Sequence, residues 1–72
     1  MANNFEISNS AFFKVWTRGN FRILLDRAAK NDFYRYQLQM FDGKHWFTES
    51  RYHTLEEAKK MLELFEDVEA MK

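Results

Sequence analysis

Few side chains in this 72-residue chain could carry out chemistry. The only histidines are His45 and His53, and there is no cysteine to complete a metal-ligand set. Two lone histidines at this separation are better explained as structural residues than as ligands. Glu49 stands two positions from Arg51, and a tyrosine hydrogen bond or an ion pair accounts for it better than a general-acid role. Both glycines, Gly19 and Gly43, fall at turn positions, so no glycine-rich phosphate loop can be built. Catalysis needs a nucleophile with its base, paired carboxylates in a cleft, or a metal cluster. A chain this short also has little room for a catalytic pocket of ordinary volume. The residues point away from an enzyme, and no cofactor or metal is expected.

Recognition chemistry is better represented. Arg22, Arg35 and Lys44 supply charge, Gln37 and Gln39 supply amides, and Trp46, Phe41, Leu24 and Val15 supply apolar area. Arginine and amide groups around aromatic anchors are what a contact surface uses. Whether these nine residues share a surface depends on the elements that carry them.

The clearest element signal runs from Phe33 to Thr48, with Asp42-Gly43 at its centre. Asp-Gly tolerates the positive φ angles of a type I′ turn, so a two-residue hairpin is expected. That register pairs Phe41 with Lys44, Met40 with His45, Gln39 with Trp46, Leu38 with Phe47, Gln37 with Thr48 and Arg35 with Ser50. Paired residues share a face. Tyr34, Tyr36, Leu38, Met40 and Phe47 then form one face, with His45 and Glu49 nominally beside them and Glu49 opposite Tyr36. Arg35, Gln37, Gln39, Phe41, Lys44, Trp46, Thr48 and Ser50 form the other.

Upstream, Gly19-Asn20 suits a type II′ turn between Ala11–Thr17 and Phe21–Arg27. The first of these segments reads as a strand, with a short helix capped by Ser10 as its rival, because so short an aromatic run has no decisive period. This hairpin puts Trp16, Phe21, Ile23 and Leu25 on a core face and Phe13, Val15, Thr17, Arg22 and Leu24 on the opposite one. Residues 28–32 read as a connection. Thr54 opens a helix through a capping box with Glu57. Leu55, Ala58, Met61, Leu62, Phe65 and Val68 recur as one apolar stripe, and the helix should fray near Ala70. Residues 1–10, polar and asparagine-rich, are expected to form a flexible tail ahead of a single domain over 11–72. The expected fold is α+β: an antiparallel meander of three to four strands with one C-terminal helix packed on one face.

With no cysteine, no disulfide supports the core. Eight Phe, three Tyr and two Trp must supply the buried area instead. Formal net charge is zero but segregated. Lys14 to His53 holds eight basic and four acidic side chains, whereas Thr54 to Lys72 holds three and six, giving basic strands and an acidic helix. The acidic helix face is most simply a solvated surface; the sharper alternative is mimicry of a phosphate backbone. No apolar run reaches the roughly 18 residues of a membrane span, and no signal-peptide pattern opens the chain, so a cytoplasmic protein with no membrane partner is expected.

Arg22, Arg35, Lys44 and Trp46 on the strands, with Tyr52-His53-Thr54-Leu55-Glu56-Glu57-Ala58 at the helix start, give a layout over roughly residues 20 to 68. It resembles the AP2-type plant DNA-binding domains and the arm-binding domains of phage integrases. The resemblance implies a three-stranded sheet entering a DNA groove, its arginines and tryptophans touching bases and phosphates.

The face opposite the helix carries Phe13, Val15, Leu24, Phe41 and Trp46, more apolar surface than a monomer usually exposes. The tail (through Phe5 and Ile7), a second copy giving a homodimer, or a foreign partner would cover it. The expected function is a regulator or inhibitor that binds another protein, such as a host enzyme or complex, and is encoded by a phage or mobile element. Nucleic acid on the same basic, aromatic face is the alternative.

Overall fold

The structure is a computed structural model that describes residues 4–27 and 35–71. The connection expected over 28–32, and Tyr34, lie outside the described residues. Five strands form one antiparallel sheet in sequence order: β1 (Glu6–Asn9), β2 (Phe13–Arg18), β3 (Phe21–Asp26), β4 (Tyr36–Phe41) and β5 (Trp46–Tyr52). Helix α1 (Leu55–Ala70) follows and packs against β3, β4 and β5. The α+β layout stands, but the sheet has five strands, not three or four.

The extra strand comes from the segment expected to be a tail. Glu6 to Asn9 pair with Thr17 to Lys14, which gives their backbone groups partners that a free tail would seek from water. Phe5 packs against the core cluster, so this segment leaves the opposite sheet face uncovered. Residues 13–18 are strand and not helix. Ser10 instead closes a turn, its amide and hydroxyl both donating to the Phe13 carbonyl, at 2.8 and 3.2 Å.

The first hairpin has the expected register, with Arg18 opposite Phe21 and Trp16 opposite Ile23. Gly19 takes φ +62° while among the described residues no non-glycine, Asn20 included, has positive φ, as a type II′ turn requires. The second hairpin differs. Trp46, not Lys44, pairs with Phe41, leaving a four-residue loop of Asp42, Gly43, Lys44 and His45. Asp42 stays out of the left-handed region that a type I′ turn would force on it. Its Oδ1 instead accepts from the amides of Lys44 and His45, each at 2.8 Å. This side-chain turn competes with the two-residue turn and wins.

A second departure lies in β5. Leu38 pairs with Ser50 and Gln39 with Thr48, so Glu49 is the extra residue of a bulge. Strict alternation from Phe47 would aim Glu49 and Arg51 at the helix. The bulge reverses the alternation, placing exposed Arg51 opposite Gln37 and half-buried Tyr52 opposite Tyr36. Glu49 is therefore exposed and not opposite Tyr36, Ser50 leaves the outer face, and His45 is an exposed loop residue. Burying a charged group costs far more than one irregularity in the ladder.

The core is Trp16, Phe21, Ile23 and Leu38 from the sheet with Ala58 and Leu62 from the helix. Leu55, Met61 and Phe65 pack around it. Val68 does not join the stripe; it is 51% exposed on the helix flank. Thr54 caps α1, accepting from the Glu57 amide at 3.1 Å and donating its hydroxyl to Glu57 Oε1 at 3.2 Å. The helix covers one sheet face, and no described element covers the other.

Candidate functional site

The uncovered face is organised in rows, because cross-strand partners line up and every second residue points the same way. Thr17, Arg22, Gln39 and Thr48 form one row and Val15, Leu24, Gln37 and Arg51 the next. Phe41 and Trp46 form a third row at one end. Seven of the nine expected residues (Val15, Arg22, Leu24, Gln37, Gln39, Phe41 and Trp46) thus share this face. Arg35, half-buried, stands one residue before β4. Lys44 does not join them; it is exposed in the loop after β4.

The central row holds itself together. The Arg22 guanidinium lies over the Trp46 ring, 4.3 Å from its centroid, and its Nε donates to Gln39 Oε1 at 2.6 Å. Gln39 Nε2 donates to Thr48 Oγ1 at 3.2 Å, and the Thr48 hydroxyl donates to Gln37 Oε1 at 3.0 Å. On its other flank Trp46 meets Phe41, with ring centroids 5.2 Å apart and tilted by 43°. A planar cation stacks well on an indole face, and tilted rings are a favourable aromatic geometry. Partial burial pulls the Arg22 guanidinium below its ordinary pKa while leaving it charged.

Two consequences follow for recognition. Trp46, Arg22 and Gln39 are already held in one arrangement, so a partner would have little side-chain freedom to remove there. In addition, Arg22 occupies an indole face that a nucleobase would need for stacking.

Sequence reasoning missed Arg51 as a member of this face, since only the bulge puts it there. It also missed the bond between hairpin and helix. Arg18 Nε and Nη2 donate to Glu66 Oε2 and Oε1 at 3.0 and 2.7 Å. The same guanidinium lies 4.4 Å from the Phe5 ring centroid. This bidentate pair gives one acid of the helix a structural role that backbone mimicry would not need. Their separation of 48 residues leaves no local pattern that could have revealed it.

Other surfaces offer less. Among the described residues no group of three His, Asp or Glu side chains could hold a metal ion. No helix of the described residues is long and apolar enough to cross a membrane. Leu64, Val68 and Met71 form an exposed apolar flank on α1.

A scan against protein-family models finds no match, and searches of curated proteins and of solved structures find none either.

Proposed function

We propose that this chain is a small non-enzymatic binding protein that regulates or inhibits another protein by gripping it with the outer sheet face. One observation carries the reading: among the described residues a five-stranded sheet has a helix on one side and no element on the other, and a half-buried Trp46, pinned by Arg22 and Phe41, stands there. Rigid aromatic and arginine anchors on a mixed apolar and polar face are the usual energetic centre of a protein interface. A phage or mobile-element origin, with a cytoplasmic host enzyme or complex as the target, belongs to the same proposal.

Nucleic acid is the second reading, favoured by the basic side chains of Arg22 over Trp46, Lys44 in the neighbouring loop and Arg51 two rows away, and by the layout of β3, β4, β5 and α1. Against it stand the occupied indole face and a central row with Arg22 as its one cation among amides and hydroxyls, where phosphate contact along a backbone calls for several. Co-purification from lysate with and without nuclease separates the two. A protein that stays bound after nuclease, with affinity only weakly dependent on salt, supports the first reading. Retention of nucleic acid alone, with the steep salt dependence of counterion release, supports the second.

A further inference from the structure

We propose that the outer face accepts an acidic amphipathic helix of the partner protein, with a carboxylate seated on the Arg22 guanidinium between two apolar footholds. This rests on the protein-binding reading above and specifies the chemistry of its partner.

The occupant's backbone is constrained first. A sheet face offers no free amides or carbonyls, since those of its strands are spent in the ladder. A segment lying on it must satisfy its own backbone, as a helix does and a lone strand does not. A second helix would complete the helix–sheet–helix layering already half built by α1.

Spacing comes next. The Phe41–Trp46 row and the Val15–Leu24 row lie four residues apart along the strands, roughly 14 Å, with Arg22 midway. On a helix laid along the strands, side chains seven or eight positions apart are roughly 10 to 12 Å apart, and apolar side chains reach further at both ends. A residue three or four positions from either end meets Arg22.

Charge decides that residue. Among the described residues Arg22 hydrogen-bonds only through Nε, so both Nη groups remain for a bound group in the planar fork that fits a carboxylate. Arg51 sits in the next row. Exposed Lys44 shares its loop with the Asp42 carboxylate, and exposed Glu49 follows Thr48 on β5, so the positive charge of the face rests on Arg22 and Arg51, with the acids Glu6 and Asp26 at its margins. A partner acid therefore meets a positive centre. A second copy could offer its own acidic α1. However, that helix already buries its apolar stripe on its own sheet, and docking its flank onto another copy is head-to-tail contact that grows open chains.

The test selects displayed random amphipathic helices of 18 residues on the wild-type chain, then measures survivors against Arg22→Gln, Arg22→Lys and the pair Trp46→Ala and Leu24→Ser. Circular dichroism confirms that each variant is folded. The expected survivors carry Asp or Glu with apolar residues three or four positions to either side. Their affinity should fall at least roughly tenfold with Arg22→Gln and partly with Arg22→Lys, which keeps the charge but not the fork. Survivors that depend on Trp46 and Leu24 but show no acid preference, or ignore Arg22→Gln, overturn the acidic-helix inference and leave the protein-binding reading standing. Survivors indifferent to Trp46 and Leu24 overturn both. A DNA oligonucleotide that binds this face more tightly than any survivor, or concentration-dependent chains of the protein alone in sedimentation, overturns the inference in favour of nucleic acid or a second copy.

Discussion

If Arg22 is held on Trp46 as the geometry shows, the two residues should be energetically coupled in the free protein. The perturbation is a double-mutant cycle of Arg22→Ala, Trp46→Ala and the combination. A cation over an indole at 4.3 Å on a half-exposed surface is worth about 0.5–1 kcal/mol. The 2.6 Å charge-assisted bond to Gln39 adds about 1.5 kcal/mol to the cost of losing Arg22 but belongs to a different pair. Arg22→Ala should therefore destabilise by about 2 kcal/mol, while its coupling to Trp46 should be only the stacking part, about 0.5–1 kcal/mol. In a domain of this size that coupling shifts the melting midpoint by about 2–8 °C. Urea unfolding followed by far-ultraviolet circular dichroism reads all four corners without relying on Trp46 fluorescence. Additivity within about 0.3 kcal/mol would refute the reasoning. The stack would then not be populated in solution, and the face would not be organised before binding.

Three further outcomes are expected. Leu38→Ala empties a fully buried position under the helix and should cost about 2–5 kcal/mol in urea unfolding; a loss below about 1 kcal/mol would mean that Leu38 is not in the core. A cycle on Arg18→Met and Glu66→Gln should show coupling of about 1 kcal/mol, since the pair is bidentate but its side chains remain 14% and 30% exposed. That coupling should shrink in 1 M salt, and coupling that does not respond to salt contradicts an ion pair (~3 Å screening length). Asp42 is held below the usual carboxylate range by the His45 and Lys44 amides. Its contribution to stability should be complete above the unfolded-state value of about 3.9 and fade as pH falls through the lower folded value. The Lys44 and His45 amide resonances should follow that titration in the wild type and not in Asp42→Ala, and a carboxyl titrating at or above the ordinary value would contradict the turn.

Much of this fold was legible because binary patterns mark faces. Phe21 and Leu38 alternate with polar neighbours, the turns carry that alternation to Trp16 and Ile23, and Leu55, Ala58 and Leu62 recur at helical spacing, so which side meets the helix could be read directly. The face survived an error in register because moving the pairing from Lys44 to Trp46 shifts it by two residues, and only an odd shift exchanges faces. Other features were hidden by competition between local terms. Asp-Gly signals a tight turn, yet the Asp42 carboxylate prefers two amides of its own chain. Phe47-Thr48-Glu49-Ser50-Arg51-Tyr52 shows no break, and the bulge at Glu49 arises because the helix side would otherwise receive two charges. β1 escaped notice because its four residues are all exposed and carry no amphipathic signal. The Arg22–Trp46 stack, between residues 24 positions apart, needs the register of three strands before it can be seen.

The central claim is that the outer sheet face, and no other surface, binds a protein. Its most direct test compares the affinity of wild type, Trp46→Ala and Leu64→Lys for a protein captured from nuclease-treated lysate, after confirming that all three are folded. Leu64 lies on the exposed flank of α1, the competing apolar surface. A loss of more than roughly tenfold with Trp46→Ala and an unchanged value with Leu64→Lys is the expected result. Wild-type affinity in Trp46→Ala contradicts the claim, and the reverse pattern also moves the interface to the helix.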